Sequence, residues 1–240
     1  MKILNFIVIF TVLLLSSIAH SQNSKWSIGA HASFDVGYRF FTKVDPDIQH
    51  VVDLNDRFDV PAFMYSAGLY AEWQFHEKLS LSFGVQYSTR GYGQEILNVQ
   101  MQQGLNQPTW DWYTQIRHHF IGIPVKLKYD YFRNKKINLF FAVGANLDFL
   151  YLTSVNRKTV KDNGEIEKDY ETDKWQKGYP FYNQFNPSAS ISFGIDIKVN
   201  SSRIRLEPNF QLALRPLVNN VPFGTYFYKG GLNVAYIYNF

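Results

Sequence analysis

From residue 25 onward the chain alternates apolar and polar residues, one for one, in long runs. In KWSIGAHASFDVGYRF the even positions are Trp26, Ile28, Ala30, Ala32, Phe34, Val36, Tyr38 and Phe40, and the odd ones are Lys25, Ser27, Gly29, His31, Ser33, Asp35, Gly37 and Arg39. Successive side chains of a β-strand point to opposite faces, so a period of two predicts a strand with one apolar and one polar face. The same split returns over residues 63–75, 79–88, 121–131, 137–151, 190–199, 203–214 and 231–240. That makes eight strands, many of them near the roughly 9–11 residues a tilted strand needs to cross a bilayer.

The connections keep an order of their own. Three are short, around HEK, RNKK and NSS, and they alternate with four long ones at about residues 41–61, 89–118, 153–187 and 216–226. Transmembrane barrels are built with short turns at one end and long loops at the other. A Greek-key sandwich has no reason to keep that alternation.

The N-terminus supports export. Met1 and Lys2 precede ILNFIVIFTVLLLSSI, and Ala19-His20-Ser21 supplies small residues before a cut ahead of Gln22. A basic start, an apolar core and a small-x-small site define a secretory signal peptide rather than an uncleaved anchor. The expected organisation is a signal peptide over residues 1–21 and one barrel domain over 22–240. No later segment reaches the roughly 18 apolar residues of a transmembrane helix. The chain has no cysteine, which excludes disulfides, thiolate metal sites, a cysteine nucleophile and a lipid-bearing cysteine after the signal. Its net charge of +4 is too small and too evenly spread to point to nucleic acid.

Periodicity alone does not say which face is the core. Three features favour a lipid-facing apolar side. Gly29, Gly37, Gly68, Gly84, Gly122, Gly144, Gly194 and Gly231 all lie on the polar face, where close approach inside a narrow barrel would use them. The polar face also mixes both signs of charge. Asp35, Glu72, Asp130, Asp148, Asp196 and Glu207 share it with Arg39, Lys126, Lys128, Lys198, Arg203 and Arg205, a set able to pair inside a lumen that side chains fill. Aromatics, 18% of the chain, gather toward strand ends, as in an interfacial girdle. The expected fold class is therefore all-β: an eight-stranded antiparallel transmembrane β-barrel with long extracellular loops and short periplasmic turns. Pro124 and Pro208 fall inside expected strands, where a bulge would absorb each.

FIGIPVKLKYDY (Phe120 to Tyr131), with STRGYG before it and FFAVGANLDFLY after it, resembles the PorT-type outer-membrane β-barrel proteins of Gram-negative bacteria. The resemblance implies an eight-stranded barrel similar to the OmpA and OmpX types, located in the outer membrane. It carries no catalytic residue, and the secretion and gliding role of one namesake does not transfer on fold alone. The ending NVAYIYNF resembles the C-terminal signal that the barrel-assembly machinery recognises, with Tyr238 and Phe240 as its aromatic positions.

Functional candidates are few. Eight strands enclose a lumen that side chains plug, which disfavours an open pore. His118 and His119 stand where a long connection enters a strand, without the spacing of a metal or catalytic site, and the simplest reading puts a histidine at the rim beside headgroups; His31 reads as a satisfied interior polar group. Asn163-Gly164 within RKTVKDNGEIEKDYE predicts a solvated type I′ hairpin, in preference to a calcium loop. TWDWY and DKWQKGYPFYNQF place Trp110, Trp112, Tyr113, Trp175, Tyr179, Phe181 and Tyr182 in long connections, as loop packing or as a binding surface. The expectation is a non-enzymatic barrel with a structural or interaction role through its loops. Its expected partners are outer-membrane lipids, the barrel-assembly machinery and a surface or envelope protein, with no cofactor and no nucleic acid. A narrow conduit for small or apolar solutes and a lipid-modifying enzyme are the alternatives.

Overall fold

The computed structural model describes residues 26–42, 46–100, 109–161, 163–174, 182–218 and 224–240. The expected signal segment lies outside these residues. The described residues form ten strands: β1 (Trp26–Thr42), β2 (Asp59–Val60), β3 (Ala62–His76), β4 (Leu79–Gln100), β5 (Thr109–Arg133), β6 (Ile137–Lys161), β7 (Ile166–Lys174), β8 (Ser188–Val199), β9 (Ser202–Ala213) and β10 (Gly224–Asn239). Eight of them close a ring of antiparallel pairs in the order β1, β3, β4, β5, β6, β8, β9, β10 and back to β1. The extra two are appendages. β2 adds two residues beside the far end of β4, and β7 pairs with the far end of β6.

The seam runs unbroken from Ser27↔Asn239 to Thr42↔Gly224. Phe240 donates its backbone N–H to the Trp26 carbonyl at 3.4 Å, and its ring meets Tyr238 edge-on at 5.3 Å. Closure leaves no unpaired strand edge along the ring, the condition for a sheet to sit in lipid.

Three expectations need correction. The connections at 89–118 and 153–187 are largely strand, because β4, β5 and β6 run on to Gln100, Thr109 and Lys161. The 41–61 connection holds a 3-10 turn (Pro46–Ile48) leading into α1 (Gln49–Phe58), which buries Val52. The β6–β7 hairpin is not type I′. The Gly164 N–H bonds the Lys161 carbonyl at 2.8 Å; among the described residues of the turn Gly164, with φ 81°, is left-handed and Asn163 is not. A type I′ turn needs both central residues left-handed.

The prolines are accommodated without bulges. Pairing of β4 with β5 stops at Phe83↔Val125 and resumes at Gln86↔Gly122 in the same register. Pro124 therefore loses rungs on one side only and stands across from Gly84. Pro208 repeats the solution, between Ser192↔Asn209 and Ile195↔Leu206, while keeping its pairing with β10.

The apolar phase faces outward around the ring. Leu69, Phe193 and Phe34 are 67%, 63% and 60% exposed, within a continuous band of such residues. Water-soluble proteins do not keep an apolar surface of that extent. The inward phase needs its glycines. A Cβ at Gly231 would collide with the Phe34 carbonyl oxygen and lie 2.6 Å from the Asp35 Cα, whereas one at Gly230 would find its nearest atom at 3.6 Å. Gly231→Ala is thus expected to abolish the compact, heat-modifiable gel species, and Gly230→Ala to preserve it.

Candidate functional site

The lumen is filled by ion pairs in layers. Nearest the short turns, Glu72 receives Lys128 at 3.1 Å, Arg203 at 2.7 Å and Arg205 at 2.9 Å. Arg205 also grips Asp196 with two bonds of 2.7 and 2.9 Å, and Lys128 reaches Asp130 and Asp196 at 3.2 Å. The Phe140 ring lies under the Lys128 and Arg205 charges. Above this layer, Lys126 meets Glu207 at 2.8 Å, and His31 bonds Asn233 at 3.0 Å. Lys229 pairs with Asp35 at 2.7 Å, and Arg90 with Asp148.

The set balances. The carboxylates of Asp35, Asp59, Glu72, Asp130, Asp148, Asp196 and Glu207 face the cations of Arg39, Arg90, Lys126, Lys128, Arg203, Arg205 and Lys229. Buried charges persist only when paired and hydrogen-bonded. Lys198 departs from expectation: it stays at the rim, donating to the Asn134 carbonyl. Three members of the network escaped the sequence reading. Arg90 and Lys229 continue the inward parity of Ser88 and of Gly231, which carries on past the expected strand ends. Asp59 follows a helix and has no periodic signal.

At the long-loop end an apolar cluster caps the charges. Tyr92, Phe120, Leu150, Leu217 and Phe227 pack together with Ile116 and Tyr182. His118 is buried here, in the inward phase. It bonds Thr153 at 3.0 Å and lies between Tyr182 and Phe227. His119 faces outward against Tyr87 and bonds Ser154 at 2.8 Å. Over the cap, Arg39 stacks on Tyr92 at 3.5 Å and clasps Asp59 with bonds of 2.5 and 2.8 Å. Asn55 of α1 accepts from Arg39 and from Gln94, both at 3.2 Å. The helix is thereby held across the mouth.

Beyond the cap, β4, β5, β6 and β7 form a protruding sheet. Trp110, Trp112 and Tyr113 belong to it, as residues of β5 rather than of a loop. Tyr182 turns into the cap, and Trp175, Tyr179 and Phe181 lie outside the described residues. The sheet has an inward and an outward face, set by the parity of the barrel below. A register shift beside Phe120 and Leu150 flips the parity of β6, so that Thr153, Arg157 and Lys161 point inward.

The two faces carry different charges. On the inward face, Arg157 bonds Asp169 at 3.2 Å and Glu171 at 3.0 Å, while Lys161 meets Glu165 and Glu167 and lies 5.9 Å from the Trp110 ring. The hydrogen bond with Glu171, then that with Asp169, holds the Arg157 guanidinium above its ordinary pKa. Lys161 is raised in the same way, first by Glu167. On the outward face stand Arg117, Lys158 and Lys168. Arg117 donates to the Phe63 carbonyl at 3.3 Å, and Lys158 lies 5.2 Å from the Tyr113 ring centre.

Two cavities mark the ends. One, of roughly 200 Å³, opens at the short-turn end among Trp26, Glu72, Asn138, Lys198 and Arg203. The other is an outward groove of roughly 530 Å³ on the protruding sheet, bounded by Phe63, Tyr113, Lys158, Lys168 and Tyr170. Neither runs through the barrel.

A family model described as an outer membrane protein beta-barrel domain matches residues 19–219. No curated protein matches the chain. Among solved structures, Neisserial surface protein A is similar at 12% identity, covering 90% of this chain and 98% of its own, with a TM-score of 0.44. OprG of Pseudomonas aeruginosa is similar at 10% identity, covering 90% and 98%, with a TM-score of 0.38. The outer membrane protease OmpT of Escherichia coli is similar at 8% identity, covering 92% and 98%, with a TM-score of 0.38.

Proposed function

Because the chain belongs to the outer-membrane protein β-barrel domain family, we propose that it is a closed, non-catalytic barrel that presents its protruding sheet as an interaction surface outside the cell. One observation carries this reading. β4, β5 and β6 continue together past the closed ring into a sheet with β7, while ion pairs and the apolar cap fill the lumen beneath it. A pore would invest its sequence in the lumen, whereas here the ordered excess is above the bilayer. The short turns then face the periplasm, as in barrels of this kind. The likeness of the Ile123-Pro124 strand to PorT-type barrels, and removal of the signal ahead of Gln22, belong to the same reading. N-terminal sequencing of the purified protein checks the second.

Purified protein in planar bilayers is expected to give no stepwise conductance. Reproducible steps would replace this reading with that of a conduit. An altered acyl pattern in the lipids of a strain lacking the protein would replace it with that of a lipid-modifying enzyme.

A further inference from the structure

The outward face of the protruding sheet is continuous with the surface that meets lipid. On β5 the lipid-facing residues Tyr129, Leu127, Val125, Ile123 and Ile121 are followed on the same face by His119, Arg117, Gln115 and Tyr113. Whatever covers this face therefore stands next to the membrane and rises from it.

The height is informative. Gln115, level with Asn156 and Tyr170 across the sheet, lies six residues beyond Ile121. At about 3.3 Å per residue and a tilt near 40°, the groove floor sits about 15 Å above that residue. The headgroup layer of a phospholipid bilayer adds only about 5–8 Å per side to the hydrocarbon core. Phe63, 49% exposed, bounds the groove, so apolar surface reaches its lower edge, and its upper part stands beyond the phospholipid headgroups, where linked sugars extend.

The chemistry of the face agrees. β7 segregates its side chains: Glu167, Asp169 and Glu171 turn inward, while Lys168 and Tyr170 turn outward. Arg117 and Lys158 join Lys168 on the outward side. Among the described residues Lys168 makes no ion pair, and the Arg117 guanidinium is bonded to a backbone carbonyl and to no carboxylate. Asp169 also lines the groove, where Arg157 pairs with it at 3.2 Å; Glu95, opposite Tyr113, and Asp111, farther out, are the other acidic residues nearby. Exposed cations beside the Tyr113 and Tyr170 rings match a ligand with phosphate groups on a sugar frame, since cations pair with phosphate and flat rings pack on sugars.

We propose that this groove holds the phosphorylated sugar headgroup of an outer-leaflet glycolipid, anchoring the sheet upright against the membrane. The proposal rests on the interaction-surface reading and names the ligand of one face of it. A protein partner on the same face is the competing occupant.

The test uses the full-length refolded barrel in detergent and a purified bis-phosphorylated outer-membrane glycolipid. Binding is compared with the enzymatically dephosphorylated lipid and with phosphatidylglycerol, at low and high salt. The phosphorylated glycolipid is expected to bind about tenfold more tightly than either, with the advantage shrinking as salt rises. The variant Arg117→Glu/Lys158→Glu/Lys168→Glu is expected to lose that advantage while keeping its heat-modifiable gel shift, because all three side chains lie on the surface. Trp110→Ala/Trp112→Ala, on the opposite face, is expected to retain it. Equal binding of the dephosphorylated lipid or of phosphatidylglycerol, or full binding by the triple variant, overturns the proposal. If lipid binding fails while bilayers show no conductance, the glycolipid is wrong and the interaction barrel stands. Conductance steps would remove the interaction barrel whatever the lipid result.

Discussion

Arg90→Met is expected to destabilise the barrel by about 3–5 kcal/mol, read as a shift in the urea midpoint of the compact species in detergent. Arg90 is 2% exposed and pairs with Asp148, itself fully buried. It also donates to Asn186 Oδ1 at 2.7 Å and Ser188 Oγ at 3.0 Å, and its guanidinium lies over the Phe120 ring at 4.8 Å. Methionine keeps much of the packing and removes the charge. The Asp148 carboxylate then stays buried with a single 3.4 Å bond from Ser188 as its chief remaining support. Breaking a buried pair from one side costs more than removing both partners, because the penalty comes from the stranded ion. Arg90→Met/Asp148→Asn should accordingly be more stable than Arg90→Met alone. Equal stability of wild type and Arg90→Met would mean that the pair does not organise the lumen.

Glu72→Gln is expected to cost about 3 kcal/mol in the same measurement, despite being nearly isosteric. Glu72 is where Lys128, Arg203 and Arg205 converge. Neutralising it leaves those three buried cations facing only Asp130 and Asp196. Arg157→Gln, in the protruding sheet, breaks two ion pairs whose side chains are about half exposed. Solvent screens those charges, so a loss below about 1 kcal/mol is expected there. A loss at Arg157 as large as that at Glu72 would contradict the division between a buried lumen and a solvated sheet.

Much of the barrel was legible because the bilayer and the lumen impose opposite demands on alternate residues. Phe34, Leu69 and Phe193 had to be apolar, and Asp35, Glu72 and Asp196 had to be polar and paired. Each parity could be read within its own strand, and the eight runs reproduce the eight strands of the ring. The protruding sheet was less legible for the converse reason. Above the lipid both faces of Thr109–Arg117 and Arg157–Lys174 meet water, the alternation disappears, and strand reads as loop. The same loss of signal hid Arg90. Its inward parity is intact, but it lies beyond the point where Tyr87 marks the last clear outward aromatic.

The sequence by itself therefore determined what lies in lipid: the number of strands, the phase of each and the presence of balanced charge inside. Those depend on local two-residue periodicity and on the composition of a single face. Only the tertiary structure decided which charges meet, because pairing across the lumen depends on strand register and on side chains far apart in sequence, as with Glu72 and Arg203 or Asp35 and Lys229. It alone brought Leu217 and Tyr182 over the mouth, held α1 there through Arg39 and Asp59, and set Arg117, Lys158 and Lys168 together on the outward face of the protruding sheet. The shift beside Phe120 and Leu150 set the faces that β6 and β7 present, and such a slip leaves no mark on the composition of either strand.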